Sequence, residues 1–276
     1  MKKRIFSALL ALMFCFTLLP SEAWAVDTAE EYDYYISSAE RLIELLGNGN
    51  TAYLDKSFLL TEDIRLSGSW TPVSTFTGAF DGGGHTISGM YTYGGGFFGV
   101  IGEGGTVRNL CVDGEFNAGG NAGGISAFNY GLIENCINKG TGNGYWSHVG
   151  GIVARNESTG TIRNCYNIGY VYNDGANTGG IVAENHGTIV NCFNVGTVIG
   201  TANSDNVTVK SSDGIVTNCY YSTDNGETFK NYDDPEDVIT PAELAERIGD
   251  EGLVTPDGDF AFKLYSLKGK GIQEEP

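Results

Sequence analysis

Five segments of this chain are near copies of one another, and their spacing constrains the fold more than any other feature. Each copy ends in Asn, with Ile or Val two residues earlier. The five residues are Asn109, Asn135, Asn164, Asn191 and Asn218. Successive copies therefore lie 26, 29, 27 and 27 residues apart. A period of this size is typical of solenoids, in which each unit buries its apolar face against its neighbours.

Between residues 76 and 221 the chain consists of short β-prone triplets separated by Gly and Asn. A helical solenoid would need Ala, Leu, Glu and Lys where this sequence has Gly, Asn, Thr and Ile. Three short strands in each repeat fit only as the faces of one coil, since an average strand has about five to six residues. The sequence therefore predicts an all-β fold, a right-handed parallel β-helix over residues 53–221, with coils about 4.8 Å apart.

Helical patterns flank the repeats. Thr28 and Glu31 have the spacing of a capping box, and apolar residues then recur at helical spacing. We expect a short capping helix within residues 26–52 that covers the first coil. Residues 222–276 are predicted to be an acidic linker, a second short helix that begins after Thr240, and a C-terminal segment.

Residues 1–25 have the composition of a signal peptide. They combine a basic head, an apolar run and a small-x-small motif that ends at Ala25. The apolar run is too short to span a membrane. We expect cleavage after Ala25, no membrane insertion once the leader is removed, and a secreted, extracellular or surface-associated protein.

The charge of the chain argues against two classes of partner. The net charge of −18 becomes −20 once residues 1–25 are removed with their three basic residues and one acidic residue. Phosphate binding depends on Lys and Arg side chains that displace counterions. Nucleic acid is therefore excluded as a partner, and anionic lipid is disfavoured on the same ground.

Charged and amide side chains predict the register of the coils. Arg108, Glu134 and Arg163 precede the repeat Asn and alternate in sign on successive coils, which avoids contacts between like charges. Arg155 and Glu184 form a second pair of this kind. A further Asn in each unit is expected to stack as an amide ladder at a bend, in the left-handed conformation. These further residues are Asn138, Asn167 and Asn194.

Cysteine follows the repeat Asn on four coils, and export would in principle favour disulfides. These residues are Cys136, Cys165, Cys192 and Cys219. In-register neighbours hold their Cβ atoms about 4.8 Å apart, beyond the range of a disulfide, and ligands along a line cannot form a tetrahedral zinc site. We therefore predict a structural ladder of buried thiols, with no metal and no cofactor. The preceding residues Asn135, Asn164, Asn191 and Asn218 form the neighbouring part of this ladder.

The sequence FTGAFDGGGHTISG at residues 76–89 and the sequence GFFG at residues 96–99 resemble the GLUG-type repeat proteins. The likeness covers about residues 53–221. Two later units, residues 151–154 and 180–183, depart from the motif by ending in Ala. The resemblance implies a secreted or surface-attached bacterial right-handed β-helix of the kind found in adhesins and in the non-catalytic parts of large surface proteins. It implies no particular activity.

Polysaccharide-cleaving enzymes also use parallel β-helices, and they need carboxylates clustered on one face. Acidic residues are sparse within the repeats, and no two recur at one coil position on adjacent coils. His148 and His186 lie near glycines, without a Ser or Cys nucleophile at a supporting position. No catalytic residue is predicted, and a polysaccharide lyase or hydrolase stays open as an alternative.

One loop carries the strongest sign of a binding site. The 29-residue step lengthens the loop at residues 141–148, which contains Tyr145 and Trp146, and the corresponding loop of the next coil contains Tyr170 and Tyr172. Aromatic rings suit stacking on sugars or anchoring a protein partner, whereas rings that fold back over the coil edge are the alternative. The leading hypothesis is a non-catalytic β-helix for adhesion or for binding a surface glycan or extracellular protein. A structural spacer in a larger surface assembly is a further alternative.

Overall fold

The chain winds through three β-sheets that form a solenoid of about seven turns. The computed structural model describes residues 31–209, 213–224 and 226–248. The predicted leader, residues 1–25, and the C-terminal segment after residue 248 lie outside the described residues. The parallel pairing of strands from successive turns confirms the predicted all-β parallel β-helix.

The first sheet has eight strands, each paired with the equivalent strand of the neighbouring coils. These strands are β1 (Tyr34–Ile36), β2 (Ser57–Leu60), β5 (Ala79–Asp81), β8 (Thr106–Arg108), β11 (Leu132–Glu134), β16 (Thr161–Arg163), β21 (Thr188–Val190) and β26 (Ile215–Thr217). Ile133 pairs with Val107 on one side and with Ile162 on the other. The apolar residue before the repeat Asn therefore stacks inward on successive coils, where all three side chains are fully buried.

The second sheet has six strands. These strands are β4 (Val73–Phe76), β7 (Phe98–Ile101), β10 (Ser126–Asn129), β15 (Val153–Asn156), β20 (Val182–Asn185) and β25 (Thr208–Val209). Arg155 on β15 lies opposite Glu184 on β20, and in the first sheet Glu134 lies between Arg108 and Arg163. The register predicted from the alternating charges is thereby confirmed.

The third sheet has fifteen strands, because most turns contribute two or three short strands to it. These strands are β3 (Ile64–Arg65), β6 (Thr86–Gly95), β9 (Cys111–Gly123), β12 (Ile137–Asn138), β13 (Thr141–Tyr145), β14 (Val149–Gly150), β17 (Tyr166–Asn167), β18 (Tyr170–Asp174), β19 (Thr178–Gly179), β22 (Phe193–Asn194), β23 (Val198–Gly200), β24 (Ser204–Asp205), β27 (Tyr220–Tyr221), β28 (Phe229–Asn231) and β29 (Val238–Ile239). The pairs β27–β28 and β28–β29 are antiparallel.

Asn residues form the corner between the first and third sheets. The five repeat Asn residues have φ angles between 52° and 55°, a left-handed conformation that Asn tolerates better than most residues. The sequence predicts this conformation for the further Asn of each unit instead. That prediction is wrong, because the corner lies three residues earlier and the further Asn residues are not among those with positive φ.

The further Asn residues nevertheless form the predicted amide ladder. Nδ2 of Asn138 donates to Oδ1 of Asn167, and Nδ2 of Asn167 donates to Oδ1 of Asn194, both at 2.8 Å. Each amide also closes a loop to the Gly two residues later, as the N–H of Gly169 does by donating to Oδ1 of Asn167 at 3.1 Å. All three Asn side chains are fully buried, so these bonds satisfy polar groups that have no access to water.

A second buried amide ladder, which was not predicted, runs through Asn129, Asn156 and Asn185. Its two rungs are Nδ2–Oδ1 hydrogen bonds of 2.8 Å between successive coils. The signal in the sequence is Asn followed two residues later by Gly, at residues 129–131 and again at residues 185–187. The same Asn-x-Gly spacing marks the first ladder, so the two could have been found together.

Stacked aliphatic side chains fill the interior. Ile152 and Ile181 occupy equivalent positions on adjacent coils, are fully buried, and are joined by a hydrogen bond of 2.9 Å from the N–H of Ile152 to the carbonyl of Ile181. Burial of one such side chain stabilises the fold by about 1.5–3 kcal/mol. Because every coil presents an apolar residue here, the core is a continuous column.

The cysteines that follow the repeat Asn stack beside this column. Cys136, Cys165, Cys192 and Cys219 are buried free thiols on successive coils. The backbone N–H of Cys136 lies 3.4 Å from Sγ of Cys165, and Cys165 has the same relation to Cys192. Burial raises the pKa of the Cys165 thiol, which suppresses the thiolate that metal binding or disulfide exchange requires.

The N-terminal helix is shorter than the sequence predicts. Tyr34–Ile36 form β1 rather than helix, and α1 runs over Ala39–Leu46 with the Ser38 side chain accepting from the N–H of Arg41 at 3.2 Å. The prediction fails because pairing with β2 buries Ile36 in the first coil, and this tertiary burial outweighs helical spacing. Thr28 lies outside the described residues.

The C-terminal part confirms one prediction and corrects another. Helix α2 covers Pro241–Ile248, and Thr240 and Glu243 form the expected reciprocal capping box. The acidic segment after residue 222 is not simply a linker, because β28 and β29 extend the third sheet from β27 and bury Phe229 and Ile239. Neither helix of the described residues is long and apolar enough to cross a membrane.

Candidate functional site

The predicted binding loop projects from the solenoid. Tyr145 ends β13 and is 60% exposed, and Trp146 follows it and is 85% exposed. Neither ring is buried, although the edge of the indole lies near Gly175 of the next coil. Large apolar side chains on the surface are normal when single, but adjacent exposed aromatic rings are characteristic of interaction sites.

Trp146 has a strained backbone. Its φ of 76° is a left-handed value that a bulky residue rarely adopts. The neighbouring coil holds it there: the N–H of Trp146 donates to the carbonyl of Asp174 at 3.3 Å, and Gly175 lies so close that an added Cβ would be 3.2 Å from the Trp146 nitrogen. Strained residues that the surroundings hold in place concentrate at functional sites.

Strand pairing places three of the four predicted aromatic residues, Tyr145, Tyr170 and Tyr172, on one surface, and Trp146 directly follows Tyr145. Tyr145 on β13 pairs with Asp174 on β18, and Tyr170 and Tyr172 lie earlier on the same strand β18. Alternate residues of β18 point outward, so both tyrosines share the outer surface of the third sheet with Tyr145.

The same surface continues onto β6 and β23, which carry none of the predicted binding residues. Tyr91 and Tyr93 point outward from β6, and Ile199 points outward from β23 next to Tyr172. Tyr93 is 76% exposed, and its ring lies over Gly119, where an added Cβ would meet the ring at 2.1 Å. We call this surface the aromatic face. It comprises Tyr91, Tyr93, Tyr145, Trp146, Tyr170, Tyr172 and Ile199.

Strand order sets the dimensions of the aromatic face. The order β6, β9, β13, β18 places Tyr91 and Tyr93 three strands away from Tyr170 and Tyr172. At the usual separation of neighbouring strands, the two tyrosine pairs are about 14 Å apart. The face is therefore long enough to contact several units of a polymer.

Polar side chains lie between the two tyrosine pairs. Glu115 and Asn117 point outward from β9, and Thr141 and Asn143 from β13. Asn117 lies opposite Asn143, and Glu115 lies opposite Thr141. The amide and hydroxyl groups here can donate and accept hydrogen bonds and the Glu115 carboxylate can accept them, between aromatic surfaces at either end.

A cluster of charged residues lies on a different surface, around Glu184. Oε2 of Glu184 is 2.9 Å from Nε of Arg155 and 3.4 Å from Nε2 of His148, and Oε1 is 3.2 Å from Nε2 of His186. His186 also contacts Asp213 through Nδ1 at 2.9 Å. Apart from the pair Arg155–Glu184, this grouping is not visible in the sequence, because three separate coils contribute to it.

The two histidines of this cluster have opposite pKa shifts. The hydrogen bond that the His186 ring donates to the Asp213 carboxylate is the main cause that raises the pKa of His186, and Glu184 contributes in the same direction. Burial lowers the pKa of His148, although Glu184 opposes this effect. Three cationic or cation-forming groups contact the Glu184 carboxylate, which thereby links His148 and Arg155 on one coil to His186 on its own coil. No group of three or more His, Cys, Asp or Glu side chains within residues 31–248, where described, has an arrangement that could hold a metal ion.

Comparisons with known proteins add information on the fold and little on activity. No family model matches the sequence. The crystal structure of "a putative immunoglobulin A1 protease from Bacteroides ovatus" is similar, with a TM-score of 0.57 and 20% sequence identity, covering 78% of this chain and 86% of that chain. At this identity the likeness shows the fold alone.

One curated relative is similar in sequence. The "Putative Gly-rich membrane protein" of Evansella cellulosilytica is 34% identical in an alignment of 123 residues that covers 38% of this chain and 14% of that protein. The matched part of this chain therefore corresponds to a small part of a much longer relative.

Proposed function

We propose that this protein is a secreted or surface-exposed, non-catalytic β-helix that binds a glycan through the aromatic face. The observation that carries the proposal is the exposed pair Tyr145 and Trp146 beside the exposed tyrosines of the aromatic face, with the backbone of Trp146 held in a strained conformation. Sugar rings have apolar C–H faces and hydroxyl edges, so exposed aromatic rings with amides between them suit them well. A protein partner would be an alternative occupant of the same surface.

The location rests on separate observations. The predicted leader, the resemblance to surface-attached GLUG-type proteins and the name of the Gly-rich membrane relative all support a secreted or surface location. Sequencing the N-terminus of protein recovered from culture medium tests this, and we expect it to begin at Val26. Medium protein that begins at Met1 would contradict the predicted export signal.

A glycan array with matched variants tests the binding function. In the variant Tyr145→Ala/Trp146→Ala we expect affinity for the glycan that the wild-type protein selects to fall tenfold or more, about 1.4 kcal/mol, at an unchanged melting temperature. Tyr130→Ala removes an exposed tyrosine outside the aromatic face and serves as the control. If the double variant loses stability but keeps its affinity, the two rings are packing residues and the proposal fails.

The Glu184 cluster is the observation that favours a second candidate, a polysaccharide lyase or hydrolase. Incubation with pectin, alginate and hyaluronan, with and without calcium, distinguishes it from the first. We expect no unsaturated products and no new reducing ends. If the wild-type protein cleaves one of these polymers and Glu184→Gln does not, the function is catalysis and not binding. A protein that neither binds nor cleaves any of these polymers would fit the spacer hypothesis.

A further inference from the structure

We infer that the ligand of the aromatic face is an uncharged polysaccharide that lies across the coils, parallel to the axis of the solenoid, and that acidic polysaccharides are rejected. This inference rests on the proposed function and adds the chemical class and the direction of the ligand. Charge, geometry and hydrogen-bonding capacity lead to it separately.

The charge of the aromatic face has one sign. The five strands that form it, β6, β9, β13, β18 and β23, contain neither Lys nor Arg. Glu115 and Asp174 are exposed on this surface, and Asp113 is exposed on the same strand as Glu115. The whole chain carries a net charge of −18. Lys139 and Arg65 are exposed beside this surface, before β13 and on β3, but within the five strands a polymer with carboxylate or sulfate groups would meet only like charges, so the surface disfavours it.

The arrangement of the rings sets the direction of the ligand. The tyrosine pairs on β6 and β18 are separated across the strands by about 14 Å, whereas residues two apart along a strand are separated by about 7 Å. Only a chain that crosses the strands contacts both pairs. Because the coils stack in that direction, an extended polymer can follow the rod and meet equivalent backbone at each step.

The polar side chains between the tyrosine pairs have the hydrogen-bonding capacity to bind sugar hydroxyls. A carboxylate such as that of Glu115 only accepts hydrogen bonds, and sugar hydroxyls can donate them. Thr141, Asn117 and Asn143 can accept or donate as the ligand requires. A neutral polysaccharide carries hydroxyls all along its chain. The polar residues between the tyrosines can bind these hydroxyls, and the flanking aromatic rings can pack on the apolar C–H faces of the sugars.

Affinity electrophoresis with matched polymers tests the inference on the full chain. Hydroxyethylcellulose and carboxymethylcellulose share one backbone and differ in charge, and a mixed-linkage β-glucan, a galactomannan, polygalacturonate and alginate widen the comparison. We expect at least one neutral polymer to retard the protein, Tyr145→Ala/Trp146→Ala to abolish the retardation, and the acidic polymers to bind at least tenfold more weakly. The variant Glu115→Gln should narrow the difference between hydroxyethylcellulose and carboxymethylcellulose if both are retarded.

The direction of the ligand has its own readout. If the polymer crosses the strands, Tyr93→Ala and Tyr172→Ala should each weaken binding of the long neutral polymer severalfold, although their side chains lie on strands that do not touch. A loss confined to one of them would contradict the direction across the coils.

The outcomes separate this inference from the proposed function. An acidic polymer bound as tightly as the neutral ones, with its binding abolished by Tyr145→Ala/Trp146→Ala, overturns the inference and leaves the glycan site standing. Binding that survives the double variant removes the aromatic face as a site and overturns both. Failure of every neutral polymer to bind overturns the inference, and the glycan array then decides whether the proposed function survives.

Discussion

Asn138 and Asn167 are joined by a hydrogen bond of 2.8 Å from Nδ2 to Oδ1, and both side chains are fully buried inside the solenoid. Asn167 makes two further hydrogen bonds: its Nδ2 donates to Oδ1 of Asn194, and its Oδ1 accepts from the N–H of Gly169. A single amide therefore satisfies polar groups on three turns. The ladder should therefore be sensitive to substitutions that keep the volume of the Asn side chain but remove one of its hydrogen-bonding groups.

The first prediction concerns this ladder. Asn167→Asp keeps the shape of the side chain but removes the Nδ2 donor and places a charge in the core. We expect the variant to lose about 3 kcal/mol or more of unfolding free energy, measured by urea denaturation, because a buried unpaired polar group costs about 1–3 kcal/mol and a charge costs more. Asn143→Asp makes the same chemical change on the outer surface and should cost less than about 1 kcal/mol. Equal losses in the two variants would mean that the ladder does not stabilise the fold.

The second prediction concerns the aliphatic column. Ile152→Asp places an unpaired charge between stacked isoleucines, so it should cost more than the typical 0.5–3 kcal/mol of a point substitution and unfold the neighbouring coils. The matched control is Ser158→Asp, an exposed position on the same turn. Thermal melting followed by circular dichroism compares the two. A shared melting temperature would refute the inward orientation of Ile152.

The first sheet is the part of the fold most visible in the sequence. In this sheet the repeated residues are also the ones that stack, as Ile133 and Ile162 do. Parallel pairing without register shifts places equivalent residues of successive coils next to each other. Strand β1 could not be found in this way. Its partner β2 lies more than twenty residues later. The β1 segment has apolar residues at helical spacing, and it forms a strand only because it pairs with β2.

The candidate site is visible in the sequence only in part. Tyr145 and Trp146 stand out because their loop is longer than the equivalent loops. Tyr91 and Tyr93 precede the first repeat Asn and lie on β6, whose pairing with β9 includes register shifts, so the period does not align them with Tyr170 and Tyr172. The residues around Glu184 meet only because of the three-dimensional register of separate coils.

The third prediction concerns the thiols. If the cysteine ladder is correct, denatured and unreduced protein should show all five cysteines of residues 26–276 reactive with a thiol reagent, although export favours oxidation. In the native protein the reaction should be slow, because burial raises the pKa of Cys165 and hides the sulfur. The ladder would be wrong if the titration revealed two disulfides.

The fourth prediction concerns pH and compares His186 with His148. The pKa of His186 is raised above its ordinary 6.5, chiefly by Asp213 and also by Glu184, so its stabilising contribution is fully present below that value and is lost as the pH rises through the raised pKa. The pKa of His148 is lowered by burial, with Arg155 adding to this and Glu184 opposing it. Protonation of His148 therefore opposes folding, and stability falls as the pH drops below 6.5 toward the lowered pKa.

Two variants measure these opposite signs. We expect His186→Gln to lose more unfolding free energy relative to wild type at about pH 5.5 than at about pH 8. For His148→Gln we expect the opposite, with an unfolding free energy that improves relative to wild type as the pH falls from about 8 to about 5.5. Urea denaturation at both pH values gives the differences. Parallel pH dependence in the two variants would contradict the assigned shifts.

The fifth prediction separates the backbone of Trp146 from its ring. Both Trp146→Ala and Trp146→Gly remove the indole, but only glycine adopts a φ of 76° without steric cost. We expect the Gly variant to unfold with a free energy about 1 kcal/mol higher than the Ala variant, since a residue held in a sparsely populated region costs about 1–3 kcal/mol and glycine loses part of this gain through its greater freedom in the unfolded chain. Glycan binding should fall to the same extent in both, because the lost contact is the ring. A Gly variant no more stable than the Ala variant would show that the backbone at this position is not strained, and a variant of either kind that keeps full affinity would show that the indole contributes nothing to the site.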